Sequence, residues 1–163
     1  MPNWCNNSVD ITGPIDVIQA AWNRTDDGSN LLEAITPIGE WDYGVAIDSW
    51  GTKWDINGEG LEFVDNQDGT ASITGWFDSA WSPPLQAFAT FCDNNPGVNA
   101  EIFYQEEGMC FVGRWNNVEG DDCHEYAEAT SKTIREYVPE YLVDEFDLEY
   151  NLEQWEELDE EME

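Results

Sequence analysis

The stretch LEFVDNQDGTASITGWFDSAW, residues 61–81, decides the fold. Phe63 lies on one side of Asp68-Gly69, and Ala71, Ile73 and Phe77 lie on the other at alternating positions. Period-two alternation marks a half-buried strand. Asp-Gly between two such runs marks a hairpin, because glycine reaches the positive φ that a tight turn needs. Residues 65–69, DNQDG, also look superficially like a calcium loop. An EF-hand needs oxygen ligands at alternate positions before its glycine and a Glu six residues after it, and that spacing is not met here.

Toward the N-terminus, Val9 and Ile11 alternate with Ser8, Asp10 and Thr12, which predicts a strand. Ile15, Ile18, Ala21 and Trp22 then follow at helical spacing, with Pro14 suited to a first helical turn. Residues 26–30, DDGSN, read as a loop, and residues 31–41 begin with a short helical piece that Pro37 interrupts. Trp50 and Trp54 bracket Gly51-Thr52-Lys53, the pattern of a packed loop laid over a sheet. Toward the C-terminus, Ser82 is a candidate N-cap for a helix that puts Leu85, Phe88, Ala89 and Cys92 on one face. Residues 98–115 read as two strands around Glu106-Glu107-Gly108. The order strand, helix, strand, strand, helix, strand, strand predicts an α+β fold. Its helices would lie on one face of an antiparallel sheet of the split βαβ type.

The chain has 163 residues, about one domain by length. Its 36 acidic side chains face 5 basic ones, a formal net charge of -31, yet 41% of the residues are hydrophobic and nine are Trp. That is too apolar for a chain kept unfolded by its charge. A field of this sign repels nucleic acid and anionic membranes and speeds encounter with basic partners. Direct nucleic-acid binding and membrane association are therefore not expected. The N-terminal residues carry no basic segment or apolar run of the signal-peptide type, so a cytoplasmic protein is expected.

The last residues, YLVDEFDLEYNLEQWEELDEEME (141–163), are acidic but patterned. Leu148, Leu152, Trp155, Leu158 and Met162 share one helical face, and Leu152 and Trp155 are expected to dock it. An earlier segment with Ile134 and Tyr137 ends at Pro139, so the region reads as two helices. The other face carries Glu149, Glu153, Glu156, Glu157, Glu160 and Glu163, preceded by Asp144, Glu145 and Asp147. The eleven carboxylates from Asp144 to Glu163 average roughly one per 2.7 Å at helical rise, between the charge spacings of duplex and single-stranded nucleic acid. Like charges four residues apart destabilise a helix, so folding alone gives no reason to choose them. The candidate partner-binding residues are Asp144, Glu145, Asp147, Glu149, Glu153, Glu156, Glu157 and Glu160. The competing reading is a solvated face that serves solubility.

Cys5, Cys92, Cys110 and Cys123 form no CxxC pair, so no zinc site or iron-sulfur cluster is expected and the four read as free thiols. Cys123-His124 is a metal fragment only if distant ligands join it. His124 is the sole His, which leaves no catalytic triad, and neither GxxxxGK[ST] nor GxGxxG occurs. Pro2 would offer a secondary amine if Met1 were removed. No catalytic residue, metal ligand or cofactor is assigned, and the chain is not expected to be an enzyme. A small-ligand site around Trp50, Trp54, Trp76 and Trp81 is the remaining chemical alternative.

Four stretches in order, MPNWCNN before the first strand, WGTKW at 50–54, FDSAWSPP at 77–84 and YQEEGMCFVG at 104–113, resemble the Api92-like family. These are small proteins of phages and conjugative plasmids with a ferredoxin-like domain. The resemblance covers about residues 1–116 and implies a ferredoxin-like antiparallel sheet with helices on one face. It also implies a mobile-element origin and action in a bacterial host cytoplasm. It brings no catalytic residues. The expected organisation is a ferredoxin-like α/β sandwich domain over 1–118 and an acidic helical extension over 119–163, read as an addition to the family core. The expected function is DNA mimicry by a phage protein that binds and inhibits a basic host DNA-binding protein: a defence nuclease, a nucleoid protein or a transcription factor. A homodimer is compatible with this reading.

Overall fold

Strand β1, Trp4–Pro14, extends beyond the run that Val9 and Ile11 announce, because Cys5 and Asn7 continue the inward-facing series. The computed structural model describes residues 3–162. After β1 come α1 (Ile15–Asn23), α2 (Leu31–Ile35), α3 (Tyr43–Trp50), β2 (Leu61–Asp65), β3 (Thr70–Ala80), α4 (Leu85–Asn94), β4 (Asn99–Glu106), β5 (Phe111–Asn116), β6 (Gly120–Glu125), α5 (Ile134–Tyr137), α6 (Glu140–Glu145) and α7 (Leu148–Met162). The strands form one sheet in the order β2-β3-β1-β4-β5-β6, antiparallel at every step. Its first four strands, with α1 and α4 as crossovers, are the split βαβ arrangement that the sequence order predicts.

The hairpin turn forms where Asp68-Gly69 places it. Gly69 has φ 89°, and the Asp68 carboxylate accepts from the Thr70 N–H and hydroxyl. The inward residues of the strands, among them Ile11, Ile73, Phe77, Ile102 and Tyr104, are sealed from solvent by α1, α2 and α4, and Phe77 stacks on Phe88 at 6.2 Å. On this face Gly113 lies opposite Tyr104. A Cβ at Gly113 would sit 2.2 Å from the Tyr104 hydroxyl, so the glycine makes room for the ring.

Several local expectations are corrected. Pro14 is the last residue of β1 and precedes α1 instead of opening its first turn. Ser82 does not cap α4, since its hydroxyl donates to the Gly51 carbonyl and Pro84 holds the cap position. Residues 43–50, to which the sequence pattern assigns no element, form α3, whose N–H at Val45 is capped by Asp42 and whose end is turned by Gly51 at φ 89°. The segment from residue 119 opens with a strand, β6, followed by three helices where two were expected.

These last helices lie on the face of the sheet opposite α1–α4. Side chains alternate across a strand, and Val112, paired with Gln105, points away from the main core and joins Ile134, Leu142, Val143 and Leu148 in a second apolar cluster. That cluster covers the β4–β5 side only. The β1–β3 side of the same face stays open, with Asn6, Ser8, Asp10, Trp76 and Asp78 exposed.

Candidate functional site: the acidic helix and the open sheet face

Helix α7 docks through its first turns. Leu148 is buried and Leu152 half-buried, whereas Trp155 is 62% exposed and Leu158 53%. Trp155 therefore does not anchor the helix as expected, because the apolar cluster beneath α7 ends at Leu152. Glu149, Glu153, Glu156 and Glu160 follow one another at steps of four, three and four, which aligns them in one stripe with Glu157 at its border. The helix carries seven carboxylates over 15 residues, roughly one per 3.2 Å at helical rise, near the spacing of single-stranded nucleic acid.

The structure separates the candidate residues into two groups. Arg135 gathers Glu140, Asp144 and Glu149 at 3.3, 3.5 and 3.1 Å. Glu156 accepts from the Ser131 N–H and hydroxyl at 2.9 and 2.7 Å, and those bonds hold its carboxyl below the usual range. Glu145, Asp147, Glu153, Glu157 and Glu160 make no ion pair among the described residues. Asp144 and Glu145 belong to α6, and Asp147 turns the chain between the helices with φ 49°. Pro2, Glu163 and the side chain of Met162 lie outside the described residues.

Nothing in the thiols points to nucleophilic chemistry. Burial pushes Cys5 up to about 12 and Cys92 up to about 11, and Cys110 and Cys123 are raised for the same reason. A thiolate, not a thiol, attacks. Cys123 and His124 point to opposite faces of β6. His124 contacts Asp122 at 2.6 Å, and the Tyr141 hydroxyl donates to the same carboxylate, holding it below the usual range, while burial raises Tyr141 to about 12. No group of three or more His, Cys, Asp and Glu among the described residues is placed to hold a metal. No helix among them is long and apolar enough to cross a membrane.

The family model described as the ferredoxin-like domain in Api92-like protein matches residues 49–162. The chain belongs to the Api92-like family. The match runs through β6 and on into α7, so the acidic C-terminal segment lies inside the matched region and is not an addition to it. The central strand β1 lies before the match begins. No curated protein and no solved structure matches the chain.

The four tryptophans singled out for a small-ligand site do not share one site. Trp76 lines a cleft of about 330 Å³ on the open sheet face with Trp4, which sequence reasoning passed over, and the Trp54 ring lies beside Trp4 at 6.2 Å. Trp50 is a core residue whose indole N–H donates to the Thr36 carbonyl, and Trp81 stands apart. A larger cavity of about 690 Å³ brings Trp50 and Trp54 together with Arg24, Glu33, Trp41 and Asp55 among others. Alternation could have found Trp4, since it precedes inward-facing Cys5 on the same strand.

Proposed function

We propose that this is a phage-encoded, non-enzymatic protein that binds and inhibits a basic host nucleic-acid-binding protein in the bacterial cytoplasm by presenting α7 in place of a phosphate backbone. One observation carries the reading: the acidic stripe is maintained against the stability of its own helix. Glu149–Glu153, Glu153–Glu157, Glu156–Glu160 and Glu157–Glu161 are like-charge pairs four residues apart, each costing roughly 0.2–0.5 kcal/mol. Asp159, Glu160 and Glu161 also stand at the helix C-terminus, where the macrodipole disfavours negative charge, and no basic residue occupies that turn. Among the described residues, Arg135 pairs with the stripe at Glu149 and Ser131 bonds to it at Glu156. Glu153, Glu157 and Glu160 remain for a partner.

Such an interface weakens steeply with salt. The test is capture from bacterial lysate at low salt, elution with rising salt, and competition with duplex DNA. The expected result is one or two DNA-binding proteins that duplex DNA displaces and that the triple substitution Glu153→Gln, Glu157→Gln, Glu160→Gln no longer retains. Capture no better than that of a charge-matched control protein would move the reading to an acidic accessory protein whose charge serves solubility.

A further inference from the structure

The cavity of about 690 Å³ has already used its polar groups internally. Glu33 accepts from the Ile38 and Gly39 N–H groups, Asp55 from those of Leu32, Glu33 and Ile56, and the Trp41 indole donates to the Lys53 carbonyl. The cleft on the open sheet face is different. Trp4 and Trp76, 47% and 58% exposed, line it together with Asp55, Asn57, Glu59 and Asp78. The carboxylates of Glu59 and Asp78 have no hydrogen-bond or ionic partner among the described residues, and partial burial raises the pKa of Asp78. Trp76 is held in place from behind. Its backbone N–H donates to the Gly60 carbonyl, and a Cβ at Gly60 would meet its ring at 2.5 Å.

We infer that this cleft binds the guanidinium or ammonium head group of a basic side chain of a protein partner. Exposed indoles clustered on the central strands of a sheet mark an interaction surface. On RNA-reading sheets of comparable layout, aromatic side chains at such positions stack bases. A chain of net charge -31 repels the accompanying phosphate. What suits an indole face beside unpaired carboxylates is a cation, drawn to the ring quadrupole and to the carboxylates together. The protein already uses the neighbouring indole in this way, since Lys53 Nζ lies 4.2 Å from the centroid of the Trp54 ring beside Trp4. The cleft sits near the lower end of ligand-sized volumes. The inference rests on the reading that the partner is basic, but it does not use α7.

The test follows the indole N–H resonances of Trp4 and Trp76 in proton–nitrogen correlation spectra of the full chain during titration with Nα-acetyl-arginine amide and Nα-acetyl-lysine amide. Saturable shifts of the two resonances are expected. The corresponding citrulline amide, similar in shape and uncharged, should leave them in place. Asp78→Asn with Glu59→Gln should weaken binding roughly three- to ten-fold, with the remaining resonances reporting whether the variant is folded. Trp4→Phe, at an exposed position, supplies a second variant with the same expected direction. Equal shifts from the citrulline amide, or shifts from a methyl glycoside and none from the basic amides, overturn the assignment of a cation. Binding of choline without either amide overturns the assignment to a protein side chain. The triple substitution in α7 should leave these shifts unchanged, so failure of this site and failure of the acidic-helix reading are distinguishable.

Discussion

Asn7 is a polar side chain on the buried face of β1, 3% exposed. Its amide lies within reach of the Cys5 carbonyl at 3.0 Å, the Phe77 carbonyl at 3.3 Å and the Ser79 hydroxyl at 2.9 Å, tying β1 to β3 through side chains as well as through the ladder. Two N–H groups shared among three acceptors leave nothing unsatisfied on the donor side. Asn7→Ala should therefore cost about 1–3 kcal/mol, read as a lower urea midpoint at unchanged slope. Gly113 makes the complementary case, where the constraint is space. Tyr104 is 1% exposed and its hydroxyl donates to Asp121 at 2.5 Å, so the ring has nowhere to go. Gly113→Ala should cost about 1–3 kcal/mol through overpacking, visible as a lower melting temperature by circular dichroism.

At the scale of elements, α7 separates anchoring from exposure. Leu148→Ala should destabilise by about 2–5 kcal/mol, the usual range for a buried leucine. Trp155→Ala should change stability by no more than about 0.5 kcal/mol, and parallel thermal melts of the two variants check the contrast. Helical spacing announced the face on which Trp155 lies, but periodicity says nothing about how far a neighbour extends beneath a helix. β1, the β2–β3 hairpin, α4 and the β4–β5 pair were legible because inward residues alternate or recur and because Asp68-Gly69 and residues 94–97 punctuate them. Helix α3 was hidden by its tryptophan, yet Asp42 as N-cap and Gly51 beyond the end carry the ordinary signals. β6, GDDCHE, has almost no apolar content and is a strand only because β5 offers it hydrogen bonds. The acidic stripe could be read directly, whereas the tryptophan cleft brings together residues 4 and 76, which only the folded sheet makes neighbours.

For the whole molecule the charge sets the response to solution conditions. Asp55 and Asp78 are raised, chiefly by burial. A carboxyl raised in the folded state contributes stability that is full below its unfolded value and is lost as pH rises through the folded value. Asp122 and Glu156, held low by their hydrogen bonds, act with the opposite sign and lose their contribution only as pH falls below the ordinary carboxylate range. Coming down from neutral pH, the raised groups respond first, and relief of self-repulsion acts in the same direction. The melting temperature should thus rise as pH falls from about 7 to about 5 before acid unfolding begins. It should also rise with salt, as the Debye length contracts from about 30 Å at 0.01 M to about 3 Å at 1 M. A melting temperature that falls along either series would mean that paired carboxylates dominate.

The position of β1 in the sheet has a consequence for synthesis. Its residues pair with 70–80 on one side and with 99–105 on the other. β1 is thus made before either of its neighbours, and it must wait unpaired until residues 99–105 have also emerged. Contacts so distant in sequence slow folding. During that interval the charge already present on the nascent chain would serve to keep unfinished copies apart, before any partner is met.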